Sequence, residues 1–320
     1  MTRPRNRKPR GWLFYATFTT VAWGIWGAFI EIPEHAGFPA TLGYAVWALT
    51  MIPCAAVALR NTHSRVDSDG RALLLGGAIG FLGAGGQLLL FQALRSGPAY
   101  LVFPIISLYP LVTIVLSVTL LRERAEGRPL AGIVLALPAI VLLSYVEPTS
   151  GGTTGYGWLL LAVTVLFMWG AQAFVLKKAQ DDMSAEGIFF YMALTAVLLV
   201  PVALLMTDFS APINWGLRGP YLAALVHILN AAGALSLVYA MRYGKAIIVV
   251  PMTALAPVIT IVLSLLIYRE LPSMYHTIGM LCAVLAIYLF ATESPGADAE
   301  HPPVEVESST RPVDTRNAGL

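Results

Sequence analysis

The feature that most constrains the fold of this chain is an internal repeat. Residues 104–123 and 251–270 align at a shift of 147 residues, with ten of the twenty positions identical. The identities include two prolines and a terminal Arg-Glu pair, which an apolar composition alone does not readily produce. Further matches at shifts of 146 and 147 extend over most of the chain. We therefore expect one structural unit to occur twice.

The composition places both copies in a membrane. Hydrophobic residues make up 57% of the chain and charged residues 12%, with a mean hydropathy of +0.72, which excludes an ordinary soluble globule. Ten apolar runs are long enough to cross a bilayer. They cover residues 12–30, 38–59, 72–94, 98–121, 130–146, 156–176, 187–207, 220–241, 246–268 and 274–292. The sequence therefore predicts an all-α polytopic membrane protein with ten transmembrane helices.

The lysine and arginine residues predict how these helices are oriented. If the N-terminus is cytoplasmic and the spans alternate, 17 of the 20 Lys and Arg residues fall on the cytoplasmic side. Such an excess is the usual determinant of membrane topology. Each copy contains five spans, and because five is odd the second copy must insert upside down. We expect two inverted five-helix repeats in the cytoplasmic membrane, with both termini cytoplasmic.

The repeat and the local composition divide the chain into five segments. These are a basic cytoplasmic N-terminus at 1–11, the first repeat at 12–146, a connector at 147–157, the second repeat at 158–292 and a disordered cytoplasmic tail at 293–320. The connector is rich in Gly and Thr, and the tail in Pro, Glu, Asp and Ser. Cys54 and Cys282 lie within apolar runs, where buried thiols are expected rather than a disulfide or a metal site.

Paired prolines distinguish the fourth and ninth spans from the others. Pro104 and Pro110 in the first copy, and Pro251 and Pro257 in the second, remove backbone donors within apolar helices. Broken backbone is tolerated in a bilayer only where protein or a water-filled cavity satisfies it. Interrupted helices at matching places in two halves are typical of a transporter's binding region. We predict that these four prolines are hinges or unwound points.

Polar and aromatic residues at mid-depth supply the candidate binding site. His227 and Asn230 are three residues apart and share one face of the eighth span. Polar residues this deep in a span usually face the bundle interior or a substrate pathway. His227 and Asn230 therefore either bind a ligand or form hydrogen bonds between packed helices. Deep aromatic and amide residues of the two copies complete the set. The candidate substrate-binding residues are Trp23, Trp26, Gln87, Tyr109, Trp169, Gln172, His227 and Asn230.

The stretches around the fourth and ninth spans resemble the EamA-type repeat of the drug/metabolite transporter superfamily. The matching residues are Gly97, Ala99, Pro110, Glu123 and Gly132, and again Gly244, Ala246, Pro257, Glu270 and Gly279. One departure is that Arg122 and Arg269 precede the glutamates where the family often has Gly. The resemblance covers nearly everything except the termini. It implies ten helices around a central cavity, lined mainly by the first, third and fourth helices of each half, and transport of small metabolites.

No charged residue lies near the middle of a predicted span. Acidic residues lie only at span ends, which argues against a carboxylate-driven proton antiporter, and the absence of mid-span Lys or Arg argues against a multiply phosphorylated substrate. His227 is the only mid-span group that titrates near neutrality, so it is the leading candidate if transport is coupled to protons. No nucleotide-binding or hydrolytic motif occurs.

We therefore expect a secondary transporter or facilitator, not an enzyme, that moves a small neutral or zwitterionic metabolite by alternating access. Its expected partners are this substrate and the lipid bilayer, with no nucleic acid, no cofactor and no metal. The alternative is a non-transporting membrane protein on the same fold, either a sensor or an enzyme acting on a lipid-linked substrate.

Overall fold

The computed structural model of the chain describes residues 11–64, 66–97, 99–145, 156–268 and 272–292, and every regular element among them is helical. The basic N-terminal segment, most of the connector and the C-terminal tail lie outside these residues. The helices are α1 (Gly11–His35), α2 (Ala40–Thr62), α3 (Gly70–Ser96), α4 (Ala99–Ser107), α5 (Tyr109–Leu120), α6 (Arg128–Leu143), α7 (Gly157–Ala179), α8 (Ala185–Leu198), α9 (Val200–Leu205), α10 (Leu222–Tyr243), α11 (Ala246–Thr253), α12 (Pro257–Tyr268) and α13 (Met274–Phe290). A π-helical turn, Leu217–Tyr221, precedes α10.

Eight segments of the described chain are long and apolar enough to cross a bilayer. They are Gly11–His35, Ala40–Thr62, Gly70–Ser96, Leu101–Leu120, Gly157–Ala179, Ala185–Leu205, Leu217–Tyr243 and Ala246–Leu263. At the predicted fifth and tenth spans the structure has shorter apolar helices, α6 and α13, of 16 and 17 residues. Their lengths are about 24 and 26 Å, against a hydrocarbon core of about 30 Å. Within the described ranges, eight of the ten predicted spans are therefore helices of membrane length, and shorter apolar helices lie at the other two positions.

Side-chain caps set the starts of several helices. The Asp69 carboxylate accepts a hydrogen bond from the backbone N–H of the second residue of α3 at 3.2 Å. Ser184 and Ser273 hydroxyls accept from backbone N–H groups in the first turns of α8 and α13, at 3.0 and 3.3 Å. Each satisfies a donor that would otherwise have no partner at a helix start, so these boundaries follow from local sequence.

The fourth and ninth spans are both interrupted, and each interruption falls just before the second proline of its pair. Helix α4 ends at Ser107 and α5 begins at Tyr109, with Pro110 in its first turn. In the second copy α11 ends at Thr253 and α12 begins at Pro257. Proline has no N–H to continue the helical ladder, which fits a break at Pro110 and Pro257. The other two predicted points, Pro104 and Pro251, lie inside the helices α4 and α11.

The helices pack in equivalent pairs that join one copy of the repeat to the other. Helix α1 packs along α10, and its equivalent α7 packs along α3. Likewise α1 packs on α12 while α7 packs on α5, and α6 packs against its own equivalent, α13. The principal core therefore lies between the two copies rather than within each of them.

The broken spans are fastened to α1 and α7 by matching contacts. The Thr260 hydroxyl donates to the Gly24 carbonyl at 2.9 Å, and the Thr113 hydroxyl donates to the Gly170 carbonyl at 3.0 Å. A Cβ added to either glycine would lie 2.5 Å from a side-chain carbon of the broken span. Glycine is therefore required at both positions for the backbones to approach this closely.

Candidate functional site

The predicted residues His227 and Asn230 lie where α10 meets α1 and α2. His227 is buried, with 5% of its surface exposed, and Asn230 is half-buried. Helix α1 contributes Trp23 and Trp26 to this junction, and α2 contributes Trp47. Three indole rings thus surround the polar face of α10.

Trp26 fixes the protonation pattern of the His227 ring. Its indole Nε1–H donates to His227 Nδ1 at 3.1 Å, with the two ring centroids 6.1 Å apart. An indole nitrogen donates only, so Nδ1 must carry a lone pair, and the neutral ring carries its hydrogen on Nε2. His227 Nε2 is buried and has no hydrogen-bond partner among the described residues. An unpaired buried donor of this kind is costly in a packed interior.

Asn230 is held by two tryptophans. The Trp47 Nε1–H donates to the side-chain oxygen Oδ1 at 2.9 Å, and the Trp23 Nε1–H donates to the Asn230 backbone carbonyl at 3.2 Å. Since Oδ1 accepts from Trp47, the amide nitrogen Nδ2 is the end that remains to donate. Sequence reasoning missed Trp47, although a tryptophan near the middle of the predicted second span was a visible signal.

The equivalent position in the other half is built from glycines. Trp169 Nε1–H donates to the Gly83 carbonyl at 3.2 Å, the counterpart of the Trp23 bond to Asn230. The side chain of Gln172 fills the space beside Gly83, where an added Cβ would lie 2.2 Å from its amide nitrogen. The polar side chains of the first junction are therefore on α10, whereas at the matching place α3 has a glycine and the adjacent space is occupied by Gln172 of α7.

Gln87 and Tyr109, the remaining predicted site residues, lie near this second position. Tyr109 begins α5 at the break in the fourth span, and its ring meets Trp169 edge to face with centroids 6.0 Å apart. Gln87 is half-buried on α3 and makes no side-chain hydrogen bond to another described residue. The eight predicted residues thus form two groups, one around α10 and one around α3 and α7.

A polar cluster that sequence reasoning did not assemble joins the two copies near the start of α1. The Glu123 carboxylate accepts from the backbone N–H groups of Ala246 and Ile247 at the start of α11, both at 3.1 Å. Lys177 Nζ lies 4.0 Å from the same carboxylate and donates to the Met241 and Gly244 carbonyls. A carboxylate at a helix N-terminus satisfies free backbone donors and complements the helix dipole.

A second buried carboxylate lies in the first turn of α8. Glu186 is 7% exposed and accepts hydrogen bonds from the Tyr239 and Ser64 hydroxyls. The Tyr239 ring in turn stacks on Tyr15 of α1, with centroids 5.1 Å apart. These contacts tie α1, α8 and α10 together at one end of the bundle. The sequence marks Glu186 only as a span-end acid, and its partners come from distant elements.

No group of three or more His, Cys, Asp or Glu side chains within the described ranges is arranged to hold a metal ion.

Comparison with known families gives two matches of nearly equal length. The model of the EamA-like transporter family matches residues 10–145 and again residues 156–292. Together the two matches take in most of the chain and leave out only the connector and the termini. The break between them coincides with the segment that separates the two sequence copies.

Individual relatives are more distant. An uncharacterized protein of Methanocaldococcus jannaschii, MJ1333.1, is 25% identical over 133 residues, which cover 42% of this chain and 95% of that protein. It is therefore about as long as one of the two matched segments. A crystal structure of a protein superimposes with a TM-score of 0.70 at 18% identity, covering 87% of this chain and 96% of the other. At this identity the likeness shows a shared fold.

Proposed function

The chain belongs to the EamA-like transporter family, and from that premise we propose that it is a secondary transporter or facilitator working by alternating access. Its substrate in this proposal is a small neutral or zwitterionic metabolite. The observation that carries the proposal is the packing between the two copies. Helix α1 of the first copy packs along α10 of the second, and the equivalent helix α7 of the second copy packs along α3 of the first. Such equivalence lets two conformations of similar energy open opposite ends of one site.

In the proposed architecture the two copies are inverted and contribute five spans each. The short helices α6 and α13 are then the fifth and tenth spans, and their mutual contact fits the pseudo-two-fold axis. The Lys and Arg distribution supports cytoplasmic termini, and the proposed location is the cytoplasmic membrane. The length of MJ1333.1 supports a single repeat as the underlying unit.

The proposed substrate site is the junction of α1, α2 and α10 together with the matching junction of α3 and α7. The indoles offer apolar faces, and His227 and Asn230 offer hydrogen bonds, the usual division of roles in a mostly apolar pocket. Among the described residues, the side chains that hydrogen-bond to His227 and Asn230 are uncharged tryptophans. This environment favours a substrate without net charge.

Substrate flux in proteoliposomes, with no cofactor added, tests the proposal against the enzymatic alternative. Purified protein is reconstituted and screened with radiolabelled metabolites from several uncharged and zwitterionic classes. We expect accumulation along the gradient or exchange of at least one class, with the compound recovered unchanged. Chemical turnover without flux would instead identify a membrane enzyme, and binding with neither flux nor turnover would identify a sensor.

A further inference from the structure

The fourth and ninth spans are packed differently, although they are equivalent parts of one repeated unit. Helix α11, the first half of the ninth span, packs against α5 and α6 of the first copy. Its equivalent α4 has no comparable packing, among the described residues, on α12 or α13, which are the equivalents of α5 and α6. Exposure differs in the same sense, since Ile248 of α11 is 1% exposed and its equivalent in α4, Leu101, is 40% exposed. Within the described ranges, the broken spans therefore close the bundle where α11 begins and not where α4 begins.

A carboxylate from the first copy holds the closed end together. The Glu123 side chain, which follows α5, accepts hydrogen bonds from the backbone N–H groups of Ala246 and Ile247, both at 3.1 Å. These residues are the first two of α11, and their N–H groups have no partner within that helix. The residue before them is Lys245, whose ammonium group has no acceptor and donates instead to the Arg124 carbonyl at 2.9 Å. The start of α11 is thus capped by the other copy.

Two features position the Glu123 carboxylate. Arg122 has a φ of +56°, in the left-handed region, which turns the chain at the end of α5. The backbone N–H of Glu123 then donates to the Ser117 carbonyl at 3.1 Å. Lys177 of α7 lies 4.0 Å from the Glu123 carboxylate and also donates to the Gly244 carbonyl. Lys177 therefore links the carboxylate to the turn that precedes α11.

We propose that Glu123 is a gate latch, which stabilises the conformation closed to the cytoplasm and whose release lets α11 leave α5 while α4 closes on α12. This assignment rests on the proposed alternating access and identifies the contact that holds one of its two conformations. Because the copies are equivalent and inverted in that proposal, the other conformation is closed by the same packing at the opposite end. Glu270, the equivalent of Glu123, would then cap the start of α4.

The sequence makes the two latches unequal. At a shift of 146 residues Lys177 aligns with Glu31, so the equivalent of the Glu123–Lys177 pair is a pair of two acids, Glu270 and Glu31. Opposite charges favour closure at the cytoplasmic end, whereas like charges oppose closure at the other end. The chain without substrate should therefore rest closed to the cytoplasm. A transported compound has to bind the other conformation more tightly in order to populate it.

Hydrogen–deuterium exchange of the purified full chain in lipid nanodiscs tests the latch. Peptides covering residues 246–253 report on α11, and peptides covering residues 99–107 report on α4. Glu123→Ala removes two hydrogen bonds to a charged group, so we expect the α11 amides to exchange about tenfold faster. Because one end closes as the other opens, the α4 amides should exchange more slowly in the same variant. Glu126→Ala, at an exposed acid in the segment after α5, is the matched control and should exchange like the parent.

The paired readout separates a latch from an ordinary helix cap. Exchange of α11 that is unchanged in Glu123→Ala would overturn the assignment. Faster exchange of α11 with α4 unchanged would overturn it too, because Glu123 would then only cap its helix.

A second variant shifts the same equilibrium without touching Glu123. Glu31 is exposed near the end of α1, and Glu31→Lys gives Glu270 the cation that Lys177 gives Glu123. We expect the α4 amides to exchange about threefold more slowly and the α11 amides about threefold faster, the size of one exposed ion pair. Exchange that is unchanged at both helices, or faster at α4, would contradict the assignment.

Transport fails separately from the latch. Reciprocal changes at α4 and α11, without flux of any compound, would leave the latch standing and remove the transport function. Flux in the parent chain, with no reciprocal change in either variant, would retain transport and remove the latch.

Discussion

At the scale of single residues, the glycines of α1 and α7 decide how closely the two copies approach. Gly24 lies against the backbone and side chains at the break in the ninth span, and Gly170 lies equivalently at the break in the fourth. Threonine hydroxyls of the broken spans bond to the carbonyls of these same glycines. Small residues and side-chain hydrogen bonds are the ordinary means by which membrane helices associate.

Gly24→Ala should destabilise the protein, because its new methyl group would lie 2.5 Å from a side-chain carbon and 2.9 Å from a backbone oxygen. Overpacking of this kind costs about 1 to 3 kcal/mol. Gly77→Ala, which meets nothing within 4 Å, is the matched control and should be neutral or slightly stabilising. Thermal unfolding in detergent measures both. Equal melting temperatures for the two variants would show that the contact at Gly24 does not constrain the helices.

Single residues also show what the sequence could and could not reveal about the site. The three-residue spacing and the depth of His227 and Asn230 were enough to single them out. The contact of Trp47 with Asn230 could not be read from sequence, because it depends on how α2 crosses α10. Trp26 donates to His227 and Trp47 donates to Asn230, which leaves each polar side chain with a free N–H. These contacts depend on how the helices cross and on side-chain rotamers, and a local sequence pattern encodes neither.

Among the helices, the fourth and ninth spans are interrupted next to Pro110 and Pro257, where proline removes a backbone donor. Pro104 and Pro251 lie inside α4 and α11, so a proline in an apolar run does not by itself locate a break. The lengths of α6 and α13 were predicted less well, because helix ends depend on caps and on turns such as the one at Gly127, whose φ is +60°. The polar cluster at Glu123 was not predictable, since it joins the end of the fourth span in one copy to the start of α11 in the other.

Replacing Pro110 and Pro257 together with Ala should straighten both spans and slow transport more than it weakens binding, because hinge positions govern conformational exchange. We expect the flux rate to fall by about tenfold, with substrate affinity within about threefold of the parent. Pro138→Ala, at an exposed proline inside the unbroken helix α6, is the control. Initial rates in proteoliposomes and equilibrium binding give the two quantities. Unchanged flux in the double variant would mean that the prolines shape the helices without acting as hinges.

For the whole molecule, the proposed transport requires an inverted arrangement of the two copies. Two observations support this arrangement. Equivalent helices of the two copies pack on each other in matching pairs, and one family model matches the chain twice. An odd number of spans in each copy then places the connector on the opposite side of the membrane from both termini.

Cysteine labelling in intact cells tests this topology. In a background with Cys54 and Cys282 replaced by Ser, we expect Ser150→Cys to react with an impermeant maleimide added outside. Thr310→Cys should react only after the membrane is permeabilised. Labelling of both positions from the same side would contradict inversion.

Access to the substrate junction from each face of the membrane tests alternating access. In the same cysteine-free background, Asn230→Cys is placed in vesicles of each orientation and treated with an impermeant thiol reagent. We expect labelling from either face, at rates that change in opposite directions when a transported compound is added. Labelling from one face alone, in the presence and in the absence of that compound, would contradict alternating access.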